Sequence, residues 1–320
     1  TMAGTNHSVV TEFTLAGFTN HPNLQAVLLA MFLTTYVINL MGNLGMILLI
    51  NCDHRLHTPM YFFLSHLSIL DVSCSSCITP KFLHSLLTGR RTISYAGCLA
   101  QLYFYVTFGT SEAVLLAAMA YDRYVAVCNP FQYVLVMSQG LCQWLVVGCY
   151  AVGALNSAMH TGAMLRLSFC ASGLLDHFYC EGPPLFALSC SDSSINKALM
   201  LALVACIVGT TSTATMVSYG RILAAVMKTR SPGAWRKAFS TCTSHLSVTL
   251  LFYGAVAFMY LRPGSRRSVE LDKTASVFYT AITPMLNPLI YCLRNQEVRD
   301  ALGRVRRKVL LMCQRHERSF

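Results

Sequence analysis

The sequence predicts an all-α membrane protein, a seven-transmembrane helix bundle. Of its 320 residues, 54% are hydrophobic and only 12% are charged, and the mean hydropathy is +0.51. A soluble domain carries about 25% charged residues, and half that share cannot cover a surface that faces water. The apolar residues are also gathered into long runs separated by short polar stretches, as a chain that crosses a bilayer repeatedly requires.

Seven apolar runs are long enough to span a bilayer, since a helix needs about 20 residues to cross its hydrocarbon core. They cover 24–50, 59–87, 96–128, 140–164, 198–227, 238–261 and 273–293. The chain therefore divides into an N-terminal segment 1–23, a transmembrane domain 24–293 and a C-terminal tail 294–320. The N-terminal segment has no Lys or Arg and no cleavage site, so we expect the first run to stay in the membrane.

The basic residues indicate the orientation. With the N-terminus outside, 15 of the 24 Lys and Arg residues lie on the cytoplasmic side, in keeping with the positive-inside rule. The sequon at Asn6 would then be open to N-glycosylation. The densest basic cluster, Arg304-Val-Arg-Arg-Lys308, would suit an anionic inner leaflet, although a solvated tail remains an alternative. We expect a multi-pass protein of the cell membrane.

Four of the 14 cysteines fall on the oxidising outer side of this topology, where disulfides form. They are Cys98, Cys170, Cys180 and Cys190. Three connectivities are possible, and the residues alone do not choose among them. Cys74 and Cys77 have the spacing of half a zinc site, but no second pair accompanies them, so no zinc site is predicted.

Two carboxylates lie inside apolar runs, Asp71 in the second and Glu112 in the third. A charge at the bilayer centre costs at least a few kcal/mol, so both should face the bundle interior. With Asn43 and Asn287 at matching depth, they could bind a sodium ion or share a proton. The alternative is a purely structural role as hydrogen-bonded polar groups.

Two further features indicate moving parts. Asp122-Arg123-Tyr124 ends the third run, where an arginine could exchange one partner for another, or could simply form an interfacial ion pair. In the seventh run, Pro284 and Pro288 each remove a backbone donor, so we expect a kink that can act as a hinge.

Together these residues resemble the rhodopsin-like G-protein-coupled receptors, whose motifs occur here in the family's order. They are Gly42-Asn43, Leu67-Ser-Ile-Leu-Asp71, Asp122-Arg123-Tyr124 and Asn287-Pro288-Leu-Ile-Tyr291. More narrowly, the chain resembles the odorant receptors of the tetrapod class II branch over nearly its whole length. The strings that carry this likeness are Leu56-His-Thr-Pro-Met-Tyr-Phe-Phe-Leu64, Met119-Ala-Tyr-Asp-Arg-Tyr-Val-Ala-Val-Cys128, Lys237-Ala-Phe-Ser-Thr-Cys-Thr-Ser-His-Leu246 and Pro284-Met-Leu-Asn-Pro-Leu-Ile-Tyr291.

The resemblance implies roles for individual residues. Cys98 would pair with Cys180 and Cys170 with Cys190, and Asp71 and Glu112 would form an allosteric sodium site near Asn43 and Asn287. The residues of the G-protein contact and switch would be Asp122, Arg123, Tyr124, Tyr219, His245, Asn287, Pro288 and Tyr291.

The resemblance also implies a ligand pocket in the outer half of the bundle. Its lining would be Tyr105, Val106, Gly109, Thr110, Leu203, Ile207, Tyr253, Val256, Tyr260 and Thr280. These residues form an apolar cup with phenol and hydroxyl groups and no charge. We therefore expect a small, neutral, hydrophobic volatile that makes one hydrogen bond and binds with micromolar or weaker affinity.

The implied function is an odorant receptor that activates a stimulatory, olfactory-type G protein and raises cAMP, in the ciliary membrane of olfactory neurons. No cofactor besides sodium and no nucleic acid are expected. A channel or transporter would need repeat symmetry or a charged path across the membrane, and an intramembrane enzyme would need a catalytic motif such as His-Glu-x-x-His. The sequence contains none of these. A receptor for metabolites in other tissues remains open.

Overall fold

A computed structural model of the chain describes residues 10–19, 21–169, 173–229, 232–260 and 269–317. Seven helical spans in these ranges are long and apolar enough to cross a membrane, which confirms the predicted architecture. The helices are α1 (Pro22–Cys52), α2 (Pro59–Thr88), α3 (Tyr95–Cys128), α4 (Tyr133–Val136), α5 (Gln139–Met164), α6 (Gly182–Leu188), α7 (Ser194–Thr229), α8 (Pro232–Tyr260), α9 (Val269–Val277), α10 (Thr283–Arg294) and α11 (Gln296–Glu317). The seventh span is α9 and α10 together, and α4, α6 and α11 lie outside the seven spans.

Local chemistry sets the helix ends close to the predicted limits. Proline occupies the first turn of α1 and of α2, where its missing N–H leaves no hydrogen bond unmade. The hydroxyls of Ser94 and Ser138 accept hydrogen bonds from backbone N–H groups of the first turns of α3 and α5. Gly89 ends α2 in the left-handed conformation, at φ +70°, which glycine adopts without strain.

Large apolar side chains point away from the bundle along its spans. Met41, Trp144 and Leu250 are 73%, 75% and 66% exposed. In water, such a belt would be an aggregation surface. Around a membrane bundle it is the face that meets lipid.

The centre of the bundle is α3, which packs against α2, α5, α7 and α8. Its contact with α5 is close because α5 presents Gly153 to it. A Cβ on Gly153 would lie 2.5 Å from the carbonyl oxygen of Thr107 and would overlap the hydroxyl of Ser111. The two backbones therefore meet without intervening side chains.

The seventh span is irregular, as its prolines predict, but the irregular turn lies about one turn before Pro284. A π-helical turn, Phe278–Ile282, joins α9 to α10, and such turns mark breaks in the regular ladder. Pro284 lies in the first turn of α10, and Pro288 lies inside that helix. The carbonyl oxygen of Pro284 accepts a hydrogen bond from Asn43 Nδ2 at 3.1 Å, so a neighbouring helix provides a partner for it.

A small sheet covers the end of the bundle that is opposite Arg123, and we call it the sheet end. β1 (Glu12–Leu15) pairs antiparallel with β2 (Thr92–Ser94) and parallel with β3 (Leu174–Leu175). β3 and α6 belong to the long loop between α5 and α7. That loop is tied to the start of α3 by a disulfide between Cys98 and Cys180.

At the Arg123 end, α11 is held against the bundle by side-chain contacts. Arg304 pairs with Asp53 at 2.7 Å, and the Tyr61 hydroxyl donates to Glu297 at 2.6 Å. Burial acts to raise the pKa of Asp53, but the hydrogen bonds and positive charges of Arg304 and Arg55 together outweigh it, and the pKa is lowered. The predicted tail 294–320 is therefore mainly a docked helix.

Candidate functional site

A cavity of about 100 Å³ lies inside the bundle near the sheet end. Its walls come from α3, α5, α7, α8 and the π-helical turn of the seventh span, and Glu181 and Gly182 of the long loop complete the lining. Most of its lining is apolar. An apolar cavity of about 150 Å³ holds a benzene molecule, and this space is smaller, so only a small ligand suits it.

Six of the ten predicted lining residues face this cavity: Tyr105, Val106, Gly109, Thr110, Ile207 and Val256. Leu203, Tyr253 and Thr280 do not line it. The Tyr253 hydroxyl donates to the Ala113 carbonyl at 3.3 Å, and the Thr280 hydroxyl donates to the Ser276 carbonyl at 2.7 Å, so both point into helix contacts.

The neighbours Val204 and Tyr279 line the cavity in place of Leu203 and Thr280. The side chain of Tyr260 lies outside the described residues. The binding role of the whole predicted set stays a prediction.

The cavity also contains polar residues that the sequence analysis did not place there. Asn156 and His160 of α5 line it, as does Glu181 of the long loop. The expectation of an uncharged cup with no acid near Tyr105 is therefore wrong. Tyr179 links Glu181 to Tyr105, because its hydroxyl lies 3.0 Å from the Glu181 carboxylate and 3.4 Å from the Tyr105 hydroxyl.

Gly109 allows a close approach between α3 and the seventh span. A Cβ at this position would lie 2.6 Å from the hydroxyl oxygen of Tyr279. Both residues line the cavity. The glycine therefore fixes where the Tyr279 phenol can lie, and with it the shape of this wall.

A second cavity, of about 360 Å³, lies closer to the sheet end and shares Glu181 and Met259 with the first. Its wall also includes His177 of the long loop. Lys273 is buried there and pairs with Asp176 at 2.7 Å. Burial, together with the nearby Lys273 ammonium, lowers the pKa of His177 to about 3, so this imidazole is neutral at physiological pH.

The long loop is anchored by disulfides. Cys98 and Cys180 are bonded, which is the pairing that the resemblance implies. Cys190 is also disulfide-bonded. Cys170 and the sequon residue Asn6 lie outside the described residues, so the Cys170–Cys190 pairing and the glycosylation of Asn6 stay predictions.

Asp71 and Glu112 are both buried within the bundle, at 1% and 3% exposure. Asn287 Nδ2 donates to both Asp71 carboxylate oxygens at 3.0 Å. In the part of the chain that the structure describes, Glu112 Oε1 and Asn287 Oδ1 have no hydrogen-bond partner. Asn43 Nδ2 donates to Asn39 and Pro284, while Asn43 Oδ1 is buried and has no partner among the described residues.

Unsatisfied buried oxygens of this kind suit a hard cation such as sodium. They suit a shared proton equally well. Among the described residues, no group of three or more His, Cys, Asp or Glu side chains could hold a metal ion. A sodium ion would therefore depend on Asp71, Glu112 and amide oxygen, and its binding stays a proposal.

At the opposite end, Arg123 pairs with Asp122, and the Tyr133 hydroxyl of α4 donates to the same carboxylate at 2.8 Å. Arg123 is 7% exposed, which does not fit a snorkelling arginine at a membrane surface. The Asp122 carboxylate raises the pKa of Tyr133, an effect second to that of burial. The Asp122–Arg123 pair is therefore enclosed by protein.

Other predicted switch residues surround this pair. Tyr219 of α7 and His245 Nδ1 of α8 are hydrogen-bonded at 2.6 Å. Tyr291 is fully buried, and its hydroxyl finds no partner within the described ranges. Tyr124 packs beside the cluster of α7 and α8 residues near the same end, and Pro288 packs against Gly42 of α1. The arrangement has polar groups that could change partners if α7, α8 and α10 moved.

Comparison with known proteins gives a consistent result. Residues 32–309 match the family model described as olfactory receptor. The chain is 50% identical to olfactory receptor 5G9 of Mus musculus over 303 residues, which cover 95% of this chain and 96% of that protein. It is 49% identical to olfactory receptor 5B21 of Homo sapiens, covering 95% and 98%, and 49% identical to olfactory receptor 5AR1 of Mus musculus, covering 94% and 97%.

Proposed function

The chain belongs to the olfactory receptor family of rhodopsin-like G-protein-coupled receptors, and from that premise we propose what it binds and how it signals. Members of this family are not enzymes; they bind odorants and couple to G proteins. We propose that this receptor binds a small, hydrophobic, uncharged volatile in the cavity near the sheet end, and that binding activates a stimulatory, olfactory-type G protein that raises cAMP.

The observation that carries the proposal is the cavity between α3, α5, α7 and α8. It is small and mainly apolar, and the loop tethered by Cys98–Cys180 forms part of its wall. A ligand that leaves water for such a space gains about 25 cal/mol for each Å² of apolar surface buried. A volatile buries little surface, so micromolar or weaker affinity follows.

The charge of the ligand follows from the partners of Glu181. This residue already contacts the Tyr179 hydroxyl at 3.0 Å and lies near His177. The rest of the lining is mainly apolar, so a charged amine would lose most of its hydration on entering the cavity. An uncharged ligand avoids this loss and leaves the contacts of Glu181 intact, so the proposal of a neutral ligand stands although a carboxylate lines the wall.

The buried carboxylates support a regulatory role within the same proposal. Asp71 and Glu112, with the amide of Asn287, would hold a sodium ion or a proton in the resting receptor. The ion would supply positive charge between two carboxylates that otherwise repel each other. Its loss would favour the rearrangement of the seventh span around the π-helical turn.

Signalling would run through the Arg123 end. The G protein would bind there when Arg123 leaves Asp122, with Tyr219 and Tyr291 as replacement partners. We propose that the receptor lies in the cell membrane with its N-terminus outside, in the ciliary membrane of olfactory neurons. A ligand drives the change only by binding the active state more tightly than the resting state.

A cAMP reporter assay on cells that express the receptor tests this proposal. We expect volatiles from a broad panel to raise cAMP in wild type and not in Arg123→Ala at equal surface expression. A response that persists in Arg123→Ala, or a current without G protein, would contradict the proposal.

A further inference from the structure

Helix α5 contributes two polar side chains to the cavity that no predicted site includes. Asn156 and His160 are four residues apart, so they lie on the same face of the helix, with Cβ atoms roughly 5–6 Å apart. Both are at least nine-tenths buried, at 6% and 8% exposure, and both line the cavity.

Asn156 has unused hydrogen-bonding capacity. Its Nδ2 donates to the Thr110 hydroxyl oxygen at 2.8 Å, which fixes the amide nitrogen on α3. Its Oδ1 is buried and has no hydrogen-bond partner among the described residues. A buried acceptor left unpaired is unfavourable, so a ligand that donates to it would recover that cost.

His160 adds a complementary group one turn further along α5. A neutral imidazole has one N–H donor and one acceptor nitrogen. Within the part of the chain described here, neither ring nitrogen makes a hydrogen bond to protein. The cavity wall thus presents an acceptor from Asn156 and a donor from His160 on adjacent turns of the same helix.

Three other polar groups of the wall already take part in hydrogen bonds. Tyr105 and Glu181 share the Tyr179 hydroxyl, and Thr110 accepts from Asn156. The pair on α5 adds a buried acceptor that makes no hydrogen bond in the described part of the chain.

We propose that Asn156 and His160 form the polar recognition site of the cavity and that its ligand is a small alcohol or phenol. The hydroxyl hydrogen donates to Asn156 Oδ1, and the hydroxyl oxygen accepts from the His160 ring N–H. An ether or ketone cannot donate, and a hydrocarbon does neither. The inference rests on the proposed function and narrows its ligand class.

The test compares alcohols with their own methyl ethers, so that the apolar body of the ligand is constant. The probes are benzyl alcohol, 2-phenylethanol, cyclohexanol and 1-hexanol, each with its methyl ether, on cells with a cAMP reporter. In wild type, we expect each active alcohol to have a half-maximal concentration at least about tenfold lower than its ether, because the ether leaves Oδ1 unpaired.

In Asn156→Leu and in His160→Phe, we expect the ratio of the ether's half-maximal concentration to the alcohol's to fall towards one. The matched control is Ser157→Ala. Ser157 is the next residue of α5, is buried, and donates to the Tyr103 carbonyl, but it does not line the cavity. The ratio should keep its wild-type value there. If Asn156→Leu fails to reach the surface, His160→Phe carries the test, since it breaks no hydrogen bond in the described structure.

An ether as potent as its alcohol in wild type would overturn the inference, and so would an unchanged ratio in both variants. A wild-type receptor that responds to other volatiles but to no alcohol would also overturn it, while the proposed function would stand. Silence towards every volatile, at normal surface expression, would contradict the proposed function itself, and the inference would fall with it.

Discussion

Asn156, His160 and Glu181 are cavity residues whose position depends on tertiary structure. In the run 140–164, Asn156 and His160 share one face, but the sequence alone does not show that this face lines a cavity. Glu181 comes from a loop whose path is fixed by the Cys98–Cys180 disulfide. At the residue scale, the composition of the cavity is therefore decided by contacts between distant parts of the chain.

Gly109 provides the first prediction at this scale. In Gly109→Ala, the added Cβ would lie 2.6 Å from the Tyr279 hydroxyl, so the phenol must move within the cavity. Overpacking of this kind costs about 1–3 kcal/mol. We expect the half-maximal concentration of an activating volatile to change about tenfold, measured by cAMP reporter. Gly209→Ala is the control, since nothing lies within 4 Å of that site. Identical dose–response curves for Gly109→Ala and wild type would refute the close approach.

His177 gives a pH-dependent prediction. Its pKa is lowered to about 3 in the folded protein, whereas an unfolded histidine titrates near 6.5. The unfolded chain therefore binds the proton more tightly, and stability is lost as pH falls below about 6.5. Burial and the Lys273 ammonium lower this pKa, and the Asp176 carboxylate acts against them. The Glu181 carboxylate lies 3.6 Å from the imidazole.

Between pH 6.5 and 5, the wild type should lose about 2 kcal/mol of stability through this residue. His177→Gln, which does not titrate, should lose correspondingly less. Thermal unfolding of receptor in lipid nanodiscs at the two pH values measures the difference. The same pH dependence in both proteins would show that His177 is not held neutral.

At the scale of elements, the sequence predicts the seven spans but does not predict the small sheet that covers the sheet end. The observed helices begin and end within a few residues of the predicted runs, except α7 and α8, which extend further. Strands of two to four residues, such as β3 and β1, are too short to show alternation. Pro284 and Pro288 indicate an irregular seventh span, but they do not by themselves predict a π-helical turn at Phe278–Ile282.

The contact between α3 and α5 is the element-scale prediction. In Gly153→Ala, the new Cβ would meet the carbonyl oxygen of Thr107 at 2.5 Å, and a backbone atom cannot swing aside. The helices must separate, at a cost of about 1–3 kcal/mol. We expect a lower melting temperature in nanodiscs and reduced surface expression. Gly148→Ala lies in the same helix with nothing within 4 Å, and it should behave as wild type. Equal stability of the two variants would argue against the tight crossing.

On the scale of the whole molecule, a ligand cavity at the sheet end and an enclosed ion pair at the Arg123 end belong to one bundle. α3 links them directly, because it carries Gly109 in the cavity wall and Asp122 and Arg123 at its last turns. Motifs such as Asp122-Arg123-Tyr124 predict the second site from the sequence. They do not predict that Tyr133 of α4 would share the Asp122 carboxylate, since that contact depends on how α4 folds beneath the bundle.

Tyr133→Phe tests the resting state of this end. The variant keeps the ring but removes the hydrogen bond to Asp122. The Asp122 carboxylate is then less fixed in position, so its pairing with Arg123 is weaker. A hydrogen bond to a charged group contributes about 1.5–3 kcal/mol. The variant loses this stabilisation in the resting state, where Asp122 holds Arg123, and not in the active state. Ligand-free cAMP should therefore rise several-fold at equal surface expression. Basal signalling at or below the wild-type level would contradict a restraining role for Tyr133.

The central claim is that occupancy of the cavity controls G-protein activation through Arg123. Nucleotide exchange on a purified stimulatory G protein, with the receptor in lipid nanodiscs, tests it most directly. A volatile that activates the receptor in cells should accelerate exchange with wild-type receptor and leave the rate at the receptor-free level with Arg123→Ala. Equal acceleration by both proteins, or none by a folded wild type that binds the volatile, would contradict the claim.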